Sequence, residues 1–205
     1  MPNEQLTKWA AKLQSIAQAG LWYGQGDFDR ERYQQIRDIA AEMMAAQTEQ
    51  PLERVKDIFC GETGYQTPKL DTRAAIFQGD KVLLVKELDG QWSLPGGWVD
   101  ADISVGQSAV KEVFEEAGLR AEIDLVVAIQ DRELHNQPRY PWKVCKVLVL
   151  CTALSGAFAP NTETIESAYF SLDKLPPLSE QKNTAEQIAL CLQAKQAQHW
   201  KTIIE

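Results

Sequence analysis

Three glutamates, Glu112, Glu115 and Glu116, stand within five residues of one another, fifteen residues downstream of a Gly96-Gly97 pair. Carboxylates at spacings of three and four lie on one side of a helix, where a hard divalent cation could bridge them. Read alone, an acidic helix face is only a solvated one. Two details count against that here. Like charges at i, i+3 and i, i+4 destabilise a helix by a few tenths of a kcal/mol per pair. Glu115 and Glu116 also precede Gly118, in a last turn where the helix dipole disfavours negative charge. A cation would reverse both penalties. Magnesium suits such a site because it prefers carboxylate oxygen, keeps several waters and bridges to substrate phosphates.

The residues around the glutamates define the element that must carry them. Ser104 with Gln107 three residues on forms a capping box, and Gly118 is placed as the C′ residue, which predicts a helix over 105–117. Its periodicity gathers Val110, Val113, Phe114 and Ala117 on an apolar face, with the three glutamates opposite.

The stretch from Gly97 to Leu119 resembles the Nudix box: glycine, five residues, position 103, seven residues, then Lys111-Glu112-Val113-Phe114-Glu115-Glu116-Ala117-Gly118-Leu119. "WSLPGG" and the flanking strands resemble the Nudix sheet, and the helical front end with "ETGYQTPK" resembles Nudix hydrolases with an N-terminal helical extension. Two positions depart from the pattern: Ile103 replaces the first glutamate and Lys111 the arginine. That looks like an ion pair exchanged for apolar packing, a change that can be neutral.

The resemblance implies water attack on a phosphorus of a diphosphate within a nucleoside diphosphate linked to another group, with CDP-choline-like, ADP-ribose-like and nucleotide-sugar compounds as candidates. It assigns Glu112, Glu115 and Glu116 to the metal, with the Gly96 carbonyl as a further ligand. The cofactor is Mg2+, for which Mn2+ can substitute. A general base is expected at Glu112 or in a later loop; Glu116, Glu163 and Glu166 complete the catalytic candidates. Arg73 is placed where the family often holds a phosphate-contacting arginine. In the polar stretch 131–143, Tyr140 and Trp142 could stack on a base, while Arg132, His135 or Arg139 could read phosphate or ribose. The alternative from another class is a non-catalytic nucleotide sensor with a degenerate box.

The remaining chain must position these groups. Up to residue 60 the pattern is helical. Leu6, Trp9, Leu13 and Ile16 are followed by a terminating Gly20; Asp29 caps a second helix, and Pro51 starts a third. From "DTRAAIF" and "KVLLVKE", joined by "QGD", the period becomes that of strands. "AEIDLVVAIQ", "WKVCKVLVLCTAL" and "SAYFSL" are further strands, and "NTAEQIALCLQAKQAQ" is a closing helix with Asn183 as N-cap. The expected fold is therefore α/β, a mixed-sheet α/β/α sandwich. A small helical region (1–62) serving dimerisation or substrate recognition precedes a catalytic domain (63–205).

Of 205 residues, 29 are acidic and 21 basic, a net charge of −8; residues 1–60 carry 9 acidic and 7 basic side chains. Neither balance suits a DNA-binding surface. No signal-like N-terminus or membrane-spanning apolar run occurs. The four cysteines lack CxxC spacing and read as reduced structural thiols. The expected protein is a cytoplasmic homodimer acting on a small nucleotide, binding neither DNA nor membrane.

Overall fold

The structure, a computed structural model, describes residues 4–48, 50–140 and 142–205. Pro141, within the polar stretch expected at 131–143, and Met1, Pro2 and Asn3 lie outside the described residues. The chain divides into two compact units. One comprises Met1–Pro68 with Tyr140–Lys143; the other comprises Lys69–Arg139 and Val144–Glu205.

The first unit is built from α1 (Glu4–Tyr23), α2 (Asp27–Thr48) and α3 (Leu52–Phe59). Its core joins Ala10, Ala40, Ala41, Met44, Val55 and Phe59. Gly20 does not end the first helix, as expected, but lies inside it. A Cβ there would fall 2.4 Å from the Tyr33 ring, so the glycine permits α1 and α2 to approach closely. The second helix starts at Asp27, two residues before the expected cap at Asp29.

The second unit contains β1 (Lys69–Gln78), β2 (Lys81–Glu87), β3 (Trp92–Ser93), α4 (Val105–Ala117), β4 (Leu119–Asp131), α5 (Arg132–His135), β5 (Val144–Gly156), β6 (Thr164–Ser171), α6 (Ala185–Gln196) and β7 (Ile203–Ile204). The sheet is mixed, in the order β3-β2-β1-β5-β4-β7, with β6 also on β2. Alternation along the strands sends residues to two cores. Ala75, Leu84, Leu148 and Leu150 meet Ile188 and Cys191 of α6, whereas Ala74, Ile76, Leu83, Val85, Val147 and Val149 meet Ala109, Val113 and Ala117 of α4. The expected α/β/α sandwich is present. α6 is capped by Thr184 with Gln187 rather than by Asn183.

One irregularity creates space for a site. β1 pairs with β5 from Lys69↔Val144 to Ile76↔Cys151, yet pairs with β2 only at Phe77↔Val82 and Gln78↔Lys81. Beyond that hairpin β2 leaves β1 and pairs with β3 at Val85↔Ser93 and Lys86↔Trp92, while β6 pairs along β2 from Lys81 to Glu87. The vacated edge of β1 is taken by the glycine turn: Ala74 N donates to Pro95 O (2.8 Å), Thr72 N to Gly97 O (2.9 Å), and Val99 N to Leu70 O (3.0 Å). The Gly96-Gly97 pair is therefore wedged where the sheet splits.

Candidate functional site

α4 carries the predicted caps. The Ser104 side chain accepts from Gln107 N, Gln107 returns the bond, and Gly118 closes the helix in the left-handed region at φ 69°. The helix face differs from the expectation. Ala109, Val113 and Ala117 are buried with Glu116, while Phe114 is 56 % exposed and Val110 only half-buried. The small alanines seat the helix closely on the sheet and turn one glutamate of the three inward.

Gly96 is what admits that glutamate. Its backbone has φ +146°, and a Cβ on it would fall 2.0 Å from Thr72 O, so a side chain is excluded. Its N–H donates to Glu116 Oε2 at 2.8 Å. Pro95 and Gly97 spend their carbonyls on β1, and the Gly96 carbonyl takes no part in that ladder. Gly97 abuts the neighbouring carboxylate: a Cβ there would stand 3.2 Å from Glu112 Oε1. The two glycines thus leave room for Glu112 and Glu116 side by side.

The electrostatics follow from this placement. Burial pushes the Glu116 carboxyl up to about 7, against the opposing pull of Arg73 and the Gly96 N–H. Burial also raises Glu112, and Glu115 and Glu163 add to the rise. Two carboxyls held in a partly dry site with raised proton affinity are oxygen donors that a hard cation would stabilise, so the residues fit magnesium. The cage is not preformed: among the described residues no three His, Cys, Asp or Glu side chains converge as a metal cluster. Glu115 is exposed and drawn to Lys111, whose ammonium lies 3.2 Å from Glu115 Oε2 and 3.0 Å from Asp100 Oδ2. The expected exchange of an ion pair for apolar packing is thereby corrected. Lys111 keeps an acidic partner in the turn, Asp100, and Ile103 stands half-buried outside both cores.

Arg73 is buried on the α6 face of the sheet, its Nη2 2.8 Å from Asp71 Oδ1 and its Nη1 3.4 Å from Leu94 O. Burial opposes its charge, but Asp71 outweighs that cost and the guanidinium remains cationic, close enough to act on Glu116. Asp71 is shared with Lys146, which is wholly buried, at 3.5 Å. Burial lowers the Lys146 ammonium to about 7.

The loop expected to contribute Glu163 and Glu166 is fixed to the C-terminus of α4. Asn161 Nδ2 donates to Glu115 O (2.8 Å) and Thr164 Oγ1 to Glu116 O (2.7 Å), satisfying carbonyls the helix leaves open. This brings the exposed Glu163 within electrostatic reach of Glu112. Glu166, expected just before a strand, lies within β6 opposite Lys86 and pairs with it at 3.5 Å.

The polar stretch after β4 is also corrected in part. Arg132 is 1 % exposed and donates to Pro138 O (2.8 Å) and Gln181 O (3.1 Å). Its guanidinium holds loops together rather than facing solvent. His135 Nε2 lies 2.7 Å from Glu205 Oε1, and Arg139 lies 3.8 Å from Glu133. Tyr140 and Trp142 belong to the first unit, where their rings are tilted by 43° with centroids 5.7 Å apart. Sequence reading missed Asp71, Lys146, Glu87 and Lys182. Asp71 and Arg73 share a strand face at i, i+2, and a lone lysine inside "VCKVLVL" was the available signal.

Comparison with known proteins gives matches over the length of the chain. Residues 4–59 match a family described as "UDP-X-like, N-terminal oligomerisation domain", and residues 67–191 match the NUDIX domain. A Bacillus subtilis protein provisionally named ADP-ribose pyrophosphatase YjhB is 38% identical over 203 residues, covering 97% of this chain and 98% of that one. Among solved structures, an ADP-ribose pyrophosphatase from Streptococcus suis is 60% identical, covering 68% of this chain and 100% of its own, with TM-score 0.64. A UDP-X diphosphatase is 30% identical, covering 99% of this chain and 100% of its own, also with TM-score 0.64.

Proposed function

The chain belongs to the Nudix family, and from that premise we propose that Glu112 and Glu116 form the metal-binding and catalytic centre of a magnesium-dependent pyrophosphohydrolase. The protein is a hydrolase of the diphosphate in a nucleoside diphosphate linked to a second moiety. The observation that carries the finer reading is the pairing of the buried Glu116 carboxyl and the half-buried Glu112 carboxyl against two glycines, with Gly96 N–H on Glu116. Nothing in a structural helix requires a glutamate to be buried there at an electrostatic cost.

Glu112 and Glu116 would hold the ion, joined by Glu115 when it leaves Lys111 and by the Gly96 carbonyl. Bound there, the ion neutralises phosphate charge and lowers the pKa of the attacking water. Arg73, fixed by Asp71, sets the ionisation of Glu116 from behind. Glu163, exposed and near Glu112, is the loop carboxylate best placed to receive the water proton; Glu166, committed to the β2–β6 ladder, is not. ADP-ribose and UDP-linked compounds are the first substrates to test, because the relatives named for their activities act on such diphosphates.

We assign residues 1–62 to homodimerisation. The family match over 4–59 and the exposed Trp9, Ile16, Trp22, Tyr23, Phe28 and Ile39 support that assignment. Light scattering giving a monomer at micromolar concentration would sink it. No helix among the described residues is long and apolar enough to cross a membrane; with free thiols and nucleotide substrates, we place the enzyme in the cytoplasm.

The test of function is a panel of ADP-ribose, UDP-sugars, CDP-choline, NADH and NAD-capped RNA with Mg2+, Mn2+ or chelator. Wild type is compared with Glu116→Gln. Metal-dependent release of a nucleoside monophosphate, abolished in the variant, is expected. Full activity of Glu116→Gln would move the metal site elsewhere.

A further inference from the structure

Lys182 stands in a loop whose backbone is unusually well tied. Trp92 N donates to Pro177 O (3.0 Å), Ser179 N to Trp92 O (2.9 Å), Lys182 N to Ser179 O (2.8 Å), and Leu94 N to Asn183 Oδ1 (2.8 Å). From inside the unit, the buried Lys146 ammonium donates to the Lys182 carbonyl. The loop therefore runs along residues 92–94, the segment that leads directly into Gly96. The Lys182 side chain, by contrast, is 26% exposed. Its ammonium lies 2.5 Å from Glu87 Oε1, an oxygen that also accepts from Ser93 Oγ at 3.0 Å. The loop is fixed to the segment that leads to Gly96, whose N–H holds Glu116, and Lys182 is among the charges that act on that carboxyl.

A partly exposed ion pair adds little stability by itself. Here a loop hydrogen-bonded to residues 92–94, just ahead of the glycine turn that holds Glu116, presents a partly exposed ammonium. Its present partner does not depend on it, since Glu87 keeps the Ser93 hydroxyl if the lysine leaves. A phosphate oxygen would offer the ammonium a charge-assisted bond of the same kind.

We propose that Lys182 is a substrate-contacting residue whose ammonium exchanges Glu87 for a non-bridging oxygen of the substrate diphosphate, with Glu87 as its resting counter-ion. This rests on the reading that the diphosphate is bound beside Glu112 and Glu116. The two partners then have opposite effects, which a purely structural ion pair would not produce. Removing Lys182 deletes a contact to phosphate. Removing the Glu87 charge deletes only the competitor.

The test uses the full chain with Mg2+ and two readouts: KM and kcat on ADP-ribose, and calorimetric affinity for its non-hydrolysable α,β-methylene analogue. Lys182→Gln should weaken analogue binding about tenfold, the scale of one charge-assisted hydrogen bond. It should raise KM more than it lowers kcat. Lys182→Arg should recover part of the loss. Glu87→Gln should tighten binding, and the double variant should match Lys182→Gln alone. Mg2+ affinity should stay within about twofold throughout, because no proposed metal ligand changes. Equal weakening by Glu87→Gln and Lys182→Gln would overturn the proposal, as would a Lys182→Gln variant that melts lower but binds the analogue normally. Inorganic pyrophosphate separates this idea from the hydrolase reading. If wild type binds pyrophosphate through Lys182 yet cleaves no diphosphate, the hydrolase reading fails and the contact stands. If wild type binds no diphosphate, the contact fails too.

Discussion

Glu116 should make the metal-free enzyme less stable as pH rises, and the size of that effect follows from its burial. Its carboxyl titrates near 7 in the folded state against 4.5 as an ordinary glutamate. Below pH 4.5 it is neutral folded and unfolded, and the folded protein carries no penalty. Between 4.5 and about 7 the unfolded chain has lost the proton while the folded one keeps it, so stability falls with rising pH. Above 7 both forms are ionised and the penalty is constant, about 3 kcal/mol at 1.36 kcal/mol per pH unit. Glu112, also raised by burial, acts in the same direction. Substituting Glu116→Gln isolates one group: the amide oxygen can still accept from Gly96 N–H, and the charge is gone. In chelator at pH 8 the variant should therefore be more stable than wild type by about 3 kcal/mol, or roughly 6–12 °C in melting midpoint for a unit of this size. At pH 5 the difference should shrink to about 1 kcal/mol. Magnesium should close the gap at pH 8 by binding the wild-type carboxylate, and at pH 6 its binding should release close to one proton, visible as a buffer-dependent calorimetric enthalpy. Urea or thermal denaturation at four pH values, with and without Mg2+, reads all of this. Wild-type stability that is flat from pH 5 to 8 in chelator, or a Gln variant less stable at pH 8, would refute the electrostatic account of the site.

Other substitutions probe separate parts of the same geometry. Gly96→Ala should abolish activity and destabilise the second unit, by on the order of 1–3 kcal/mol from backbone strain alone, since its Cβ would meet Thr72 O at 2.0 Å; activity and melting measured together check this. Lys111→Met should lower the Mg2+ concentration for half-maximal activity by freeing Glu115; a higher requirement would mean the lysine orients Glu115 for the metal instead. Ile103→Glu should leave kcat/KM within about threefold, the scale of an ordinary surface change, because Lys111 already has Asp100.

How far the site could be read in advance depended on the kind of signal. The caps of α4 are local chemistry, hydroxyl, amide and glycine at fixed offsets, and they stand where the sequence puts them. The direction of the helix is not local. Hydrophobicity alone turns Phe114 inward and Glu116 outward, whereas the structure does the reverse because Ala109 and Ala117 let the helix settle on the sheet and Gly96 opens a notch on that flank. Periodicity gives the width of a buried stripe but not which edge of it meets a hole. The charged network behind the site was hidden for a related reason. Lys146 is buried because β1 pairs in parallel with β5, bringing Asp71 opposite it from 75 positions away. No short-range pattern carries that register.

The relocated ion pair shows how the glutamate site tolerates a departure from its family pattern. With Ile103 unable to accept, Lys111 reaches back across the turn to Asp100 while also holding Glu115 one helical turn on. The second contact offsets the unfavourable position of Glu115 in the last turn of the helix, where the dipole opposes its charge. That same contact occupies a carboxylate the metal is expected to need. One lysine thus steadies the metal-free helix and would compete with the proposed ion for Glu115. No ion pair holds Glu112 or Glu116 among the described residues, and Arg73, a buried cation that acts on Glu116, is itself bound to Asp71. On the proposed reading Glu112 and Glu116 would hold the ion, and Glu115 would contribute in exchange for its contact with Lys111.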